Sequence, residues 1–161
     1  MTAHVRARRP EDLAPLLVIL QVIHEHEGYP VRDEAVSAWW LADAEEIGNA
    51  VAEVDGRVVG HVALHPADAA TWDGVTDHDL DRLAVVSRLF TDRSAPGLGG
   101  LLLDEAVAQA RALGRNAVLQ VDPEAAALAW YGRRGWRRLG TQTQQWGPRT
   151  VEAVLMQPGE A

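Results

Sequence analysis

Residues 83–114 read LAVVSRLFTDRSAPGLGGLLLDEAVAQARALG. The apolar run from Leu83 to Thr91 predicts a strand, Gly97, Gly99 and Gly100 mark a turn, and the remainder to Leu113 has the spacing of an amphipathic helix. Glycine lets backbone N–H groups converge with no Cβ in the way, and a helix N-terminus adds partial positive charge. The arrangement therefore suits a phosphate or pyrophosphate. Glycines serve equally for tight turning alone, and the stretch in isolation leaves both readings open. It does exclude two other owners of glycine turns. A P-loop requires Gly-Lys and then Ser or Thr, whereas Gly99 and Gly100 are followed by leucines. A dinucleotide fold carries G-x-G-x-x-G beside its first strand, whereas the third glycine position here is Leu102, midway along the chain.

The flanking segments supply the rest of the architecture. Upstream, His4–Arg8 alternates as a strand, and Pro10, Glu11 and Asp12 open a helix with Leu13, Leu16, Leu17, Leu20 and Ile23 on one side, stopped by Gly28 and Pro30. A second helix is predicted over Asp33–Ala42. Asp55-Gly56 between Asn49–Val54 and Arg57–Leu64 is a hairpin signal, followed by a polar segment, Pro66–Asp81. Downstream, Ala117–Val121 reads as a buried strand and Glu124–Arg134 as a helix opened by Asp122 and Pro123. Two closing strands lie around Trp136–Trp146 and Val151–Met156. The expected fold is α+β: a mixed, mostly antiparallel sheet of about seven strands flanked by four helices.

The 161 residues, 47% hydrophobic, suffice for one domain spanning 1–161 with a sizeable core. The longest apolar stretch, Leu13–Ile23, is well short of the roughly 20 residues of a membrane span. With no N-terminal signal pattern, a cytoplasmic protein without a membrane partner is expected. There is no cysteine, so disulfides, thiolate metal sites and a cysteine nucleophile are excluded. Residues 1–81 hold five arginines against sixteen acids, and residues 82–161 hold ten arginines against seven, for a net charge of −8. A basic half containing the glycine turn suits an anionic ligand, and an acidic half suits a cationic one. No arginine stripe dominates the chain, which argues against nucleic acid.

About thirty residues beyond the glycine turn comes AAALAWYGRRGWRRLG, Ala125–Gly140. Taken together with GLGGLLL, and with HEGYP and VSRLF, this segment resembles the GNAT family of N-acetyltransferases. In that family a G-x-G turn followed by leucines is succeeded by a strand and a helix ending A-x-x-L-Y-x-x-x-G-F/W. Ala127, Trp130, Tyr131, Gly135 and Trp136 stand in the last of these positions. The resemblance spans most of the chain, since the element order matches too. There are departures. Ser94 occupies the arginine or glutamine position of the family's R/Q-x-x-G-x-G/A turn, with Arg93 one place earlier, and Pro96 removes one amide donor. Glu124 replaces an asparagine. These changes shift the pyrophosphate grip toward Arg93 or weaken it.

The resemblance implies acetyl-CoA as cosubstrate, no metal, and direct attack of an amine on the thioester in a ternary complex. The cofactor would lie along Leu89, Phe90 and Thr91 and over Arg93, Ser94, Ala95, Gly97, Leu98, Gly99 and Gly100. A backbone N–H near Leu89 would polarise the carbonyl, worth about 3–4 kcal/mol. Tyr131 is the expected partner of the departing thiolate. Full proton transfer from a phenol of pKa about 10 to a thiolate is uphill by roughly 2 kcal/mol, so a hydrogen bond that follows the developing charge describes it better.

An aliphatic amine of pKa about 10.4 loses its proton at pH 7 at a cost of roughly 4–5 kcal/mol, so a base is needed. The fourth strand offers only Val85 and Val86 where relatives place a glutamate. His78, between Asp77 and Asp79, has the most suitable ordinary pKa. His24 and His26 point to different sides of a helix, and His61 and His65 share a strand face without a third metal ligand. Glu27, Tyr29, Trp39, Trp40 and Trp72 are candidates to line the acceptor pocket, with core packing the other role open to the tryptophans. The expected function is transfer of acetyl from acetyl-CoA to a primary amine, small molecule or peptide, by a monomer or homodimer. The alternatives are a catalytically degenerate acyl-CoA-binding module and a protein-modifying acetyltransferase.

Overall fold

A computed structural model of the chain describes residues 2–30 and 36–159. Seven strands form one sheet among these residues: β1 (Ala3–Arg6), β2 (Gly48–Val54), β3 (Arg57–Pro66), β4 (Leu83–Thr91), β5 (Asn116–Val121), β6 (Trp136–Trp146) and β7 (Arg149–Pro158), in the order β1-β2-β3-β4-β5-β7-β6. Every neighbouring pair is antiparallel except β4–β5. The helices are α1 (Leu13–Glu27), α2 (Ala38–Leu41), α3 (Ala69–Trp72), α4 (Leu98–Ala112) and α5 (Ala126–Arg133). None is long and apolar enough to cross a membrane.

Strand alternation sends side chains to two different faces. Ala50, Ala52, Val62, Leu64, Ala84, Val86, Ala117 and Leu119 meet Leu98, Leu102, Leu103 and Ala106 of α4, and α5 joins this face through Tyr131. On the other face Val51 and Phe90 pack on Leu16, Leu20 and Leu41 of α1 and α2, and further along Val85 and Val118 cover Trp72 and Leu155. Local signals set the joints. Asp55 and Gly56 carry φ of 52° and 77°, the pair of left-handed residues that a tight β2–β3 turn demands. Asp12 is buried between Arg6, at 2.8 and 2.9 Å, and the Arg9 N–H at 2.7 Å, which ties β1 to the start of α1.

Some boundaries differ from the sequence reading. β1 ends at Arg6, because Arg8 turns its N–H to Asn49 Oδ1 instead of continuing the ladder. A fifth helix, α3, lies in the polar segment, where Asp68 caps the Thr71 N–H at 2.9 Å. Helix α5 begins at Ala126 and not at Glu124, because Asp122 folds back to accept the Glu124 N–H at 2.9 Å. The start of the helix expected over Asp33–Ala42 lies outside the described residues, and its end is α2.

Candidate active site

Two irregularities in β4 create the site. Strands β4 and β5 pair only at Leu83/Asn116, Ala84/Ala117 and Val85/Val118, although both run on to Thr91 and Val121, so a gap opens between their C-terminal ends. On its other edge β4 bulges: between His61/Phe90 and Ala63/Ser87, Val62 of β3 faces both Arg88 and Leu89. Arg88 takes φ of 50°, a conformation that costs a side-chain-bearing residue about 1–3 kcal/mol unless its surroundings enforce it. They do. Its Nε donates to the Trp40 carbonyl at 2.8 Å, its guanidinium lies 4.5 Å from the Trp40 ring centre, and Asp43 is 3.6 Å away.

His61 fastens the bulge from below. It is fully buried and stacked on Phe90, with Nδ1 2.9 Å from the Arg88 carbonyl and Nε2 2.9 Å from Arg8 Nη1. A carbonyl only accepts and a guanidinium only donates, so the proton sits on Nδ1 and the ring is neutral. Burial pushes its pKa down to about 3, with Arg8 and Arg88 adding to the fall and the bond to the Arg88 carbonyl opposing it. Arg8 is in turn paired with Glu46.

The glycine turn leads into α4 at the mouth of the gap. Gly97 is the N-cap, at φ of 79°, and no side chain caps the helix; the first intrahelical bond is Leu101 N–H to the Gly97 carbonyl at 3.1 Å. The N–H groups of Leu98, Gly99 and Gly100 therefore lack helical partners and point out of the N-terminus, as an anion cradle requires. Gly99 has a second role, since a Cβ there would stand 3.3 Å from Trp130 of α5. Ala95, Leu98, Leu89, Trp130 and Tyr131 all belong to the apolar cluster on the α4 face, and through Gly99 against Trp130 the start of α4 lies beside the helix that carries Tyr131.

Tyr131, 9% exposed, is held edge-on by Trp130 with centroids 5.1 Å apart and tilted against Trp136 at 5.9 Å. Its hydroxyl makes no hydrogen bond with any described residue. Burial raises its pKa well above the ordinary phenol range, and Tyr29, on the α1 side of the sheet, adds to the rise. Tyr29 is itself pushed up to about 12 by burial, a rise that Arg88 partly offsets, and it meets Trp40 edge-on at 6.3 Å. The structure thus brings Tyr29, Trp40 and Arg88 together on one side of the gap and Tyr131 on the other.

The structure places several of the expected residues outside the gap or gives them other contacts. His78 is exposed and lines a hollow of about 170 Å³ with Arg111, Arg115 and Asn116, at the opposite end of β4 from Leu89. Six strand residues at about 3.3 Å each put roughly 20 Å between them, so His78 is no base for this site. Trp72 is 1% exposed and fills the core against Leu83, Val85 and Leu155, which removes it from a pocket wall. Arg93 is exposed and its guanidinium is paired with Glu27 at the end of α1, a surface contact worth about 0–1 kcal/mol that a phosphate could displace. The Ser94 N–H is taken by Asp92 Oδ1 at 2.9 Å. Trp39 is exposed, outside the Tyr29–Trp40 contact. Arg134, the C-cap of α5, is a residue the sequence reading did not single out; it sits at Gly100, over Trp130 at 5.3 Å and 2.9 Å from Asp104. Its position three residues after Tyr131, one helical turn on, was the available signal.

Comparisons with known proteins identify the family and the fold. The model of the acetyltransferase (GNAT) family matches residues 13–136. No curated protein matches the chain. Among solved structures, the ribosomal-protein-alanine N-acetyltransferase of Brucella melitensis is 22% identical, covers 98% of this chain and 99% of its own, and superposes with a TM-score of 0.72. The yncA protein of Salmonella typhimurium, solved with its cofactor acetyl-CoA, is 20% identical over 99% of this chain and 94% of its own, at 0.71. The PaiA N-acetyltransferase of Thermoplasma acidophilum, in complex with coenzyme A, is 14% identical over 99% and 100%, at 0.65. At these identities the likeness is one of fold.

Proposed function

We propose that this chain, which belongs to the GNAT family of acetyltransferases, moves an acetyl group from acetyl-CoA to a primary amine by direct attack in a ternary complex. The observation that carries this reading is the convergence of three features on one gap. They are the uncapped N-terminus of α4, the bulged edge of β4 at Arg88–Leu89 and the Tyr131 hydroxyl, which has no partner among the described residues.

The N–H groups of Leu98, Gly99 and Gly100 and the α4 dipole would hold the pyrophosphate, with Arg134 beside them. Strand residues Leu89, Phe90 and Thr91 would guide the pantetheine arm into the gap. A backbone N–H at Leu89 would polarise the thioester carbonyl, a contribution of about 3–4 kcal/mol where such donors have been removed elsewhere. Tyr131 donates a hydrogen bond to the sulfur as negative charge builds there. Its raised pKa keeps it protonated throughout the working pH range, so it stabilises the thiolate without becoming a phenolate. Tyr29, Trp40 and Arg88 wall the acceptor side. The charges there are matched, Arg8 with Glu46, Arg88 with Asp43 and Arg93 with Glu27, so this wall repels neither a neutral nor a cationic amine.

Calorimetric titration with CoA and thiol release from acetyl-CoA, run over spermidine, kanamycin and an alanyl tripeptide, tests the reading. Saturable CoA binding with release of thiol matched by amide product is expected. Failure to bind CoA overturns it, and CoA binding without turnover on any amine replaces it with an acyl-CoA-binding module.

A further inference from the structure

Carrying the β4–β5 register two residues past Val85/Val118 sets Ser87 level with Gln120 on opposite banks of the gap. Both alternate onto the face that Val85 and Val118 share, away from α4. His65 of β3 reaches the same spot, its Nδ1 2.6 Å from Ser87 Oγ. Two buried polar atoms in this group have no partner among the described residues, His65 Nε2 and Gln120 Oε1. Folded proteins satisfy nine in ten or more of their buried polar groups, and two orphans flanking one gap point to a polar ligand there.

We propose that His65 and Ser87 form the proton-accepting pair for the acceptor amine, with Gln120 holding that amine from the opposite bank, a refinement that rests on the acetyl-transfer reading above. Ser87 lies two residues, about 7 Å, before Leu89, within reach of an amine attacking a carbonyl polarised at Leu89. The tautomer is set by its neighbours. Arg88 Nη1, 3.4 Å from His65 Nδ1, can only donate, so Nδ1 is the open acceptor and Ser87 Oγ donates to it.

One N–H bond of the ammonium breaks, its proton passing to Ser87 Oγ while the Ser87 hydroxyl proton passes to His65 Nδ1. The freed lone pair forms the C–N bond to the thioester carbonyl carbon, the C–S bond breaks, and its electron pair leaves on the CoA sulfur. The sulfur takes the second amine proton and departs as the thiol, and the imidazolium returns its proton to water. The groups facing His65 are Arg8 beyond β1, Asp43 and Glu46 between α2 and β2, His61 on β3 and Arg88 on β4. Burial, Arg88 and Arg8 lower its pKa, with Asp43 and Glu46 opposing, so the ring is neutral and able to accept at pH 7.

The test is thiol release from acetyl-CoA with the best amine of the panel, followed from pH 6 to 10 in the intact protein and in His65→Gln, Ser87→Ala and Gln120→Leu. The wild-type kcat/KM is expected to be flat between the pKa of His65 and that of the amine. His65→Gln should fall about 10²–10³-fold at pH 7 and rise tenfold per pH unit up to the amine pKa, with CoA affinity unchanged. Ser87→Ala should share that profile and carries the test if His65→Gln does not fold. Gln120→Leu should raise KM about tenfold and leave kcat nearly unchanged. Profiles of His65→Gln and Ser87→Ala that parallel the wild type within threefold overturn this proposal and leave acetyl transfer standing. Absence of thiol release from the wild type overturns both.

Discussion

Tyr131→Phe removes a single atom and isolates one step. The ring contacts to Trp130 and Trp136 survive the change, and the lost hydroxyl has no partner among the described residues, so no buried group is orphaned. Stability should therefore shift by no more than about 0.5 kcal/mol. Turnover is a different matter. A hydrogen bond to a fully charged sulfur is worth about 1.5–3 kcal/mol, which converts to a fall in kcat of about 10- to 150-fold. Cofactor affinity should stay within twofold, because the ground-state thioester sulfur is a poor acceptor. The raised pKa keeps the phenol neutral below pH 10, so no basic limb in the wild-type profile belongs to Tyr131. Steady-state thiol release gives kcat, calorimetry gives the CoA affinity, and thermal melting controls for folding. A variant with wild-type kcat and wild-type Tm would refute the role assigned to Tyr131.

Three further outcomes separate structure from chemistry. Asp12→Asn should cost about 1.5–3 kcal/mol, because Arg6 loses one of its two carboxylate partners and keeps Glu53, read as a drop in denaturation midpoint. The native carboxylate is held below its ordinary pKa mainly by the Arg6 hydrogen bonds, so its stabilisation is complete only above about pH 5 and is lost as pH falls through the depressed value; acid melts of the two proteins should converge. Trp72→Ala should lose about 3–5 kcal/mol of stability, whereas a stable variant with altered amine KM would return Trp72 to the pocket. His78→Ala should leave kcat within twofold at every pH, since the side chain sits at the far end of β4; a lost acidic limb would reinstate it as the base.

The order of elements was legible because each carries a short-range signal. Asp55-Gly56 can hardly be other than a hairpin turn, Gly28 stops α1 at φ of 72°, and the leucines of 98–103 repeat at helical spacing. The spacing from the glycine turn to Tyr131 was equally legible, and Leu98, next to Gly97, shares an apolar cluster with Tyr131. His61 and His65 were visible as a strand-face pair. Their separate duties, one locked beneath a bulge and one paired with Ser87, were not.

What the amino-acid sequence determined by itself was the order of the elements apart from α3, since turns, caps and helical periodicity are interactions between residues a few places apart. Only the tertiary structure decided where β4 bulges, where β4 and β5 part, that Arg93 turns to Glu27 and that His78 and Leu89 occupy opposite ends of one strand. Those outcomes depend on register between strands and on contacts spanning tens of residues, such as Arg8 to His61 and Trp40 to Arg88. Alternation of apolar and polar residues specifies which face a side chain takes and is silent on which partner it meets there.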